Sequence, residues 1–376
     1  MSRNLIRLGL ILASMIIGAC CCFCPLSPVS IIAWDGIVIP LWINLSAPNP
    51  VAINLPEPKL LHSDISSGAH SIYWSDDGSL IFVIGTDSQV SNEYPDNFMM
   101  TVDASSGEIL DERRVTDDFD FEKEYNITSQ FSEIDEERTL WDTCPSKDLM
   151  IIGRELPGTA WDLELWQAAT VIDTFRLDSD QWSGLDSAFR PYPAGAALSP
   201  TCEHFAVGLY GWIYWEGDGQ EELWLVDLPD RSIQRVLKGR WTFSRLWDYP
   251  VQDIDPSWSP DGDEIVFGDS RFGLEIYDIK SGNRRWLSGP GQSGYSPQWS
   301  PSGQWIAVER YGPESSVIVI STDSKWTDYI EGCDFISAMS WASSDDRFAY
   351  LCSGKFGESK DLYVWSLPSE PESVIK

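Results

Sequence analysis

Trp258-Ser259-Pro260-Asp261-Gly262 decides the fold, because it comes back. Trp299-Ser300-Pro301-Ser302-Gly303 follows it, and then the degenerate Trp341-Ala342-Ser343-Ser344-Asp345, at a spacing of about 40 residues. Self-similarity at this period marks one supersecondary unit used repeatedly. Each copy leads into an apolar run, at 264–267, 304–308 and 347–351. In the first quoted copy, 256–258 reads as an inner strand A, 259–263 as a tight turn and 264–267 as strand B. Proline presets φ in that turn, and Gly262 takes a positive φ without a Cβ penalty. Leu274-Glu275-Ile276-Tyr277-Asp278 alternates as strand C. Lys280-Ser281-Gly282-Asn283 turns again, and 284–287 forms an outer strand D. Four antiparallel strands in about 40 residues make a propeller blade.

Weaker copies extend the repeat backwards. Trp74-Ser75-Asp76-Asp77-Gly78 with 79–84 is a first blade. Cys144-Pro145-Ser146-Lys147-Asp148 with 149–153 is a second, and Leu198-Ser199-Pro200 with 204–209 a third. Glu164-Leu165-Trp166 and Glu222-Leu223-Trp224 take matching C-strand positions in these two. The expected fold is all-β: a six-bladed β-propeller of four-stranded antiparallel blades over 68–376. Trp74, Trp258, Trp299 and Trp341 read as packing residues. The Asp-Gly pairs read as turn chemistry rather than catalytic carboxylates.

The repeat resembles that of the TolB-like (WD40-like) β-propellers, most closely in blades one, four and five. TolB itself carries an extra N-terminal α/β domain, for which 25–60 are too short and too proline-rich. A role in the Tol system is therefore not implied. Propellers of this kind also precede serine-peptidase domains, but the chain contains no Gly-x-Ser-x-Gly elbow.

The N-terminus reads as a targeting segment over 1–24. Arg3 and Arg7 precede an apolar run at 8–19, too short for a comfortable membrane span. Ile17-Gly18-Ala19-Cys20 resembles a bacterial lipobox, with Cys20 as the lipidated residue. The competing reading is an uncleaved anchor. Residues 25–67 are a Pro-rich tether with a candidate closing strand at 37–45 or 51–55, although 373–376 reads as blade six's own outer strand. The formal charge of −32 argues against nucleic acid and against electrostatic docking to anionic lipid. Cys144, Cys202, Cys333 and Cys352 remain in the body. Cys333 and Cys352 flank one hairpin and are a candidate disulfide, with two buried thiols as the alternative.

Blade geometry sorts the loops, with A–B and C–D turns on one face and B–C and D–A loops on the other. The insertions at 86–97, 114–138, 154–161, 178–194, 210–221 and 238–255 all belong to the second face, in or just after blades one to three. Long loops on a rigid scaffold usually carry function. The acidic run within 117–138 reads as a solvated face, with a cation site as the alternative. Three histidines give no metal cluster, and no cofactor is expected. The other loops are aromatic, in a chain with 19 tryptophans. Candidate ligand contacts are Arg190, Arg240 and Arg245 for an anionic group, and Trp212, Trp215, Trp241 and Trp247 as anchors. The alternative is that these side chains fold the loops down as a satellite core.

These features favour an extracytoplasmic, lipid-anchored binding module for an envelope protein, peptide or glycan. An envelope polysaccharide lyase or hydrolase is the second reading, since two carboxylates suffice for acid–base work. No catalytic residue stands out among so many acidic ones. A scaffold without a pocket is the third.

Overall fold

The computed structural model describes residues 30–32, 38–40, 50–53, 55–87, 96–115, 138–156, 160–167, 170–177, 192–213, 218–242, 255–269, 273–288, 295–310, 316–330, 333, 335–343, 346–354 and 358–368. The chain divides into two compact units, Met1–Pro48 and Asn49–Lys376. In the first, Ser30–Ile32 pairs antiparallel with Val38–Pro40.

The second unit is nearly all β. Sheet one runs Ala69–Trp74, Leu80–Asp87, Asp96–Asp103, Ile109–Val115. Sheet two runs Arg138–Cys144, Leu149–Leu156, Ala160–Gln167, Thr170–Leu177. Sheet three runs Tyr192–Leu198, His204–Ile213, Asp218–Asp227, Ser232–Thr242. Sheet four runs Ser257–Trp258, Glu264–Asp269, Gly273–Asp278, Arg284–Trp286. Sheet five runs Tyr295–Trp299, Trp305–Arg310, Ser316–Ser321, Trp326–Ile330. Sheet six begins Phe335–Trp341, Arg347–Ser353, Lys360–Ser366. Within each sheet successive strands are neighbours and antiparallel, which is the blade pattern of a β-propeller.

The repeated motif builds the turn between the first two strands. Its serine hydroxyl accepts the N–H five residues on, at 2.9 Å from Ser75 to Leu80, 2.9 Å from Ser259 to Glu264 and 3.2 Å from Ser300 to Trp305. Its glycine closes the turn by donating to the serine carbonyl, with φ of 67° at Gly78, 74° at Gly262 and 72° at Gly303. The motif aspartates are turn staples. Asp77 accepts from the Ser75 and Ser79 hydroxyls and from the Ser79 N–H, which holds its carboxyl well below the usual range. Asp261 does the same with the Ser259 hydroxyl and the Asp263 N–H.

Alternation along each second strand sends side chains to opposite neighbours. Phe205, Val207 and Leu209 pack with sheet two, whereas Ala206 packs with sheet four. Ile265 and Phe267 pack with sheet three, and Val266 with sheet five. Trp305 and Ala307 pack with sheet six, and Phe348 and Tyr350 return the contact. Ala349 and Leu351 join Ile81 and Val83 of sheet one. On the remaining faces of sheets one and two, Phe82, Met99, Met150 and Ile152 are buried as well. A sheet buried on both faces reads as a near-continuous apolar run, which is why periodicity alone located these strands weakly.

The motif tryptophans join neighbouring sheets. Each indole N–H donates to the carbonyl just before the corresponding motif position in the preceding sheet. Trp258 reaches Ala197 at 2.8 Å, Trp299 reaches Ser257 at 3.1 Å and Trp341 reaches Gln298 at 3.2 Å. Trp74 of sheet one reaches Ser340 of sheet six at 3.1 Å.

Sheet six corrects two sequence expectations. Its outer strand is Lys59–Ile65, antiparallel to Lys360–Ser366 with Lys360 opposite Ile65 and Val364 opposite Lys59. That place is therefore not taken by 373–376, which lie outside the described residues. Nor is the closing strand 37–45 or 51–55. Val38–Pro40 pairs inside the first unit, and Val51–Ala52 adds to sheet five as a parallel fifth strand beside Trp326–Ile330. The physical reason is burial, since Leu61 and Ile65 enter the core shared with sheet one. The sheet-forming region thus reaches back to Val51, ahead of the expected boundary at 68.

Candidate functional site

The first strands of sheets two to five line an open depression of about 380 Å³. Its polar walls are Asp142, Asp255, Ser257, Ser296 and Gln298, beside Trp258. Gly195, Asp255 and Ser296 each stand three residues before the motif position of their own sheet, in three successive sheets. The repeat therefore brings them side by side. Ser296 donates its hydroxyl to Asp255 Oδ2 at 3.0 Å. Gly195 lies so close on the other side that a Cβ there would stand 2.2 Å from Asp255 Oδ1. Small neighbours on both sides thus make room for one carboxylate.

Asp142 enters from sheet two. It accepts the Leu198 N–H at 2.6 Å and the Thr143 N–H at 2.8 Å. The residue keeps some surface, but its carboxyl is largely removed from water. Burial raises its pKa to about 6, against the lowering effect of those two N–H groups. The depression is therefore rich in acceptors and suited to a ligand that donates hydrogen bonds, such as an amine, an amide N–H or a sugar hydroxyl.

The shift at Asp142 sets a pH dependence. The folded chain holds this proton more tightly than the unfolded chain, so the group's contribution to stability falls as pH rises from about 4 to about 6. Asp142→Asn, which keeps an acceptor for the Leu198 N–H, should remove that slope. Above pH 6 the variant should be the more stable by up to about 3 kcal/mol. Denaturant midpoints of both proteins between pH 4 and 8 check this, and a difference that does not change with pH would contradict it.

A cavity of about 430 Å³ lies between Lys59–Ile65 and sheet one, lined among others by His62, Asp64, Phe98, Glu112 and Arg113. Among the described residues no cluster of three His, Cys, Asp or Glu side chains fits a metal.

The sequence candidates fall mostly elsewhere. Arg190, Trp215, Arg245 and Trp247 lie outside the described residues, as does the acidic run at 117–137. Cys20 lies outside them too. Trp212, Arg240 and Trp241 are placed by their backbone. The 210–221 segment, expected as an irregular loop, is mostly strand: His204–Ile213 and Asp218–Asp227 are 10 residues each, and Ser232–Thr242 is 11. Trp212 stands opposite Gly219, and Gly219 opposite Trp241, so the three share one cross-strand row. Arg240 stands opposite Gln220, one step along. The glycines at 211 and 219 misled the loop reading, because glycine in a strand looks like punctuation.

Cys333 and Cys352, 5.5 Å apart at Cα, are bonded within sheet six. A second bridge, Cys144–Cys202 with Cα atoms 5.9 Å apart, joins sheets two and three. Sequence reading missed it. The signal was available, since both cysteines occupy motif slots in consecutive copies, and consecutive motif turns touch. A Cβ on Gly262 would meet Pro200 and Thr201 at 3.6 Å, and one on Gly303 would meet Pro260 at 3.6 Å.

The chain is thus a nearly all-β protein with the sheet pattern of a β-propeller and an acceptor-lined depression along its first strands. No family model matches the sequence, and no curated protein matches it. Among solved structures, TolB from Acinetobacter baumannii is similar at 14% identity and a TM-score of 0.42, over 77% of this chain and 64% of that one. The chain spans less than two thirds of that structure's length.

Proposed function

We propose that the chain is a six-bladed β-propeller acting as a binding module, anchored outside the cytoplasm through Cys20. Its partner is an envelope protein, peptide or glycan. The docking face carries the hairpins and loops that follow second and fourth strands in blades one to three. The observation that supports this most is the long hairpin of sheet three, whose paired strands carry Trp212, Trp241 and Arg240 on adjacent rows. An extended, paired backbone presents such residues more rigidly than a free loop, and rigid aromatic and arginine anchors suit recognition. Arg190, Arg245, Trp215 and Trp247 belong to the same proposal through their position in the neighbouring segments. Replacing 210–221 with a short turn should lower affinity for the partner at least tenfold while leaving the melting temperature within a few degrees. Unchanged affinity in a folded variant would remove the hairpin from the site.

The anchor has its own test. Cys20→Ala should abolish incorporation of labelled fatty acid, and persistent labelling would point to another attachment.

The enzymatic reading draws support from one feature, the two carboxylates on a single depression. Asp142, with its proton retained to about pH 6, suits the acid, and Asp255 suits the base. Asp255→Asn would then abolish turnover of an envelope polysaccharide without affecting partner binding at the hairpin.

A further inference from the structure

Four sheet junctions share one clasp, the motif indole donating to a carbonyl of the preceding sheet. It joins sheets three and four, four and five, five and six, and six and one. At the junction of sheets two and three the donor is missing, because the motif position of sheet three is Leu198. The same junction carries the Cys144–Cys202 bridge, and the cysteines sit in particular slots. Cys144 occupies the motif-serine slot of sheet two, opposite Leu149 as Ser259 is opposite Glu264. Cys202 occupies the slot that is glycine at 78, 262 and 303. It adopts the glycine conformation as well, with φ of 54°, and makes the same turn hydrogen bond to the Ser199 carbonyl at 2.8 Å. A residue with a Cβ is disfavoured there and persists only when its surroundings fix it. The other bridge, Cys333–Cys352, closes a hairpin inside sheet six and spans no junction.

We propose that the Cys144–Cys202 bridge is the latch of the junction between sheets two and three, replacing the tryptophan clasp, and that this makes the junction sensitive to thiol reductants. The exchange is balanced by an external dithiol. A thiolate attacks one sulfur of the bridge and displaces the other as a thiolate. The second thiol of the reductant then resolves the mixed disulfide. The dithiol gives up two electrons and becomes a cyclic disulfide, while the bridge takes two electrons and two protons and becomes two thiols. Cys144 and Cys202 are both buried, so this exchange requires the junction to open first.

The test is amide hydrogen exchange on the full chain, oxidised, treated with dithiothreitol, and as the Cys144→Ser/Cys202→Ser variant. Losing the latch should speed exchange at least tenfold across Tyr192–Leu198, while Tyr295–Trp299 in a tryptophan-clasped junction stays within twofold. Cys333→Ser/Cys352→Ser should leave Tyr192–Leu198 unchanged. Adding Leu198→Trp to the bridge-free chain should recover protection, because Asp142, opposite Ile151, then offers its carbonyl in the register place that Ala197, Ser257, Gln298 and Ser340 hold in the other junctions. Equal protection with and without the bridge would overturn the proposal. So would equal loss of protection at every junction. If Leu198→Trp leaves Tyr192–Leu198 unprotected while the other junctions stay closed, the equivalence of latch and clasp fails.

Discussion

Trp258→Ala and Trp299→Ala should each destabilise the protein by about 3–5 kcal/mol, the range for truncating a large buried aromatic. Both side chains are nearly buried, at 7% and 8% exposure. Each lies in the core between two sheets, and each donates its indole N–H across that junction. Truncation therefore leaves a cavity and removes the indole hydrogen bond to the Ala197 or Ser257 carbonyl. Thermal and urea melts would measure the loss. Trp258 also borders the open depression, so its effect on binding must be separated from its effect on stability. A variant that melts like the parent but no longer binds would make the residue a contact rather than a clasp.

The second large effect concerns the strand contributed from the N-terminal side. Ile65 is 1% exposed and packs with Ala69, Ile72, Leu351 and Leu362 at the junction of sheets six and one. Ile65→Ala should cost about 2–4 kcal/mol. Leu60→Ala on the same strand should cost less than about 0.5 kcal/mol, because Leu60 is 47% exposed. The contrast isolates burial from strand propensity. Removing the strand altogether should unfold the chain, since it leaves sheet six with an open edge and strips a shared core. Similar melting of the Ile65 and Leu60 variants would mean that Lys59–Ile65 does not close the fold.

How much of this was legible before any coordinates depends on the residue. Trp258-Ser259-Pro260-Asp261-Gly262 was legible in full, because each position has one physical job and the copies keep it. Lys59–Ile65 was not. It follows Pro56 and Pro58, carries Lys59, His62, Ser63 and Asp64, and breaks alternation where Asp64 takes a φ of 61°. Its identity as a strand comes from its partner Lys360–Ser366, which is tertiary information. Asp142 and Asp255 were hidden among 58 acidic residues. Nothing in their own sequence context separates them, but aligning the slot three before each motif gives Gly195, Asp255 and Ser296, and that row would have marked Asp255. The same alignment of motif slots would have paired Cys144 with Cys202.

The hairpin of sheet three was half legible. Its aromatic content was visible, but its strand character was not, because Gly211, Asp218 and Gly219 look like a turn. The pairing of Trp212 with Gly219 and of Gly219 with Trp241 converts a scattered set of residues into one cross-strand row.

Binding at that row is tested most directly by site-specific photo-crosslinking in intact cells. A photoreactive amino acid is placed singly at Trp212, Gln220 and Trp241, and at Asp76, Asp261 and Ser302 in the motif turns of the opposite face. The hairpin positions should capture one common partner and the motif-turn positions should not. Capture of that partner from the motif turns, with none from the hairpin, would reverse the face and contradict the proposed function.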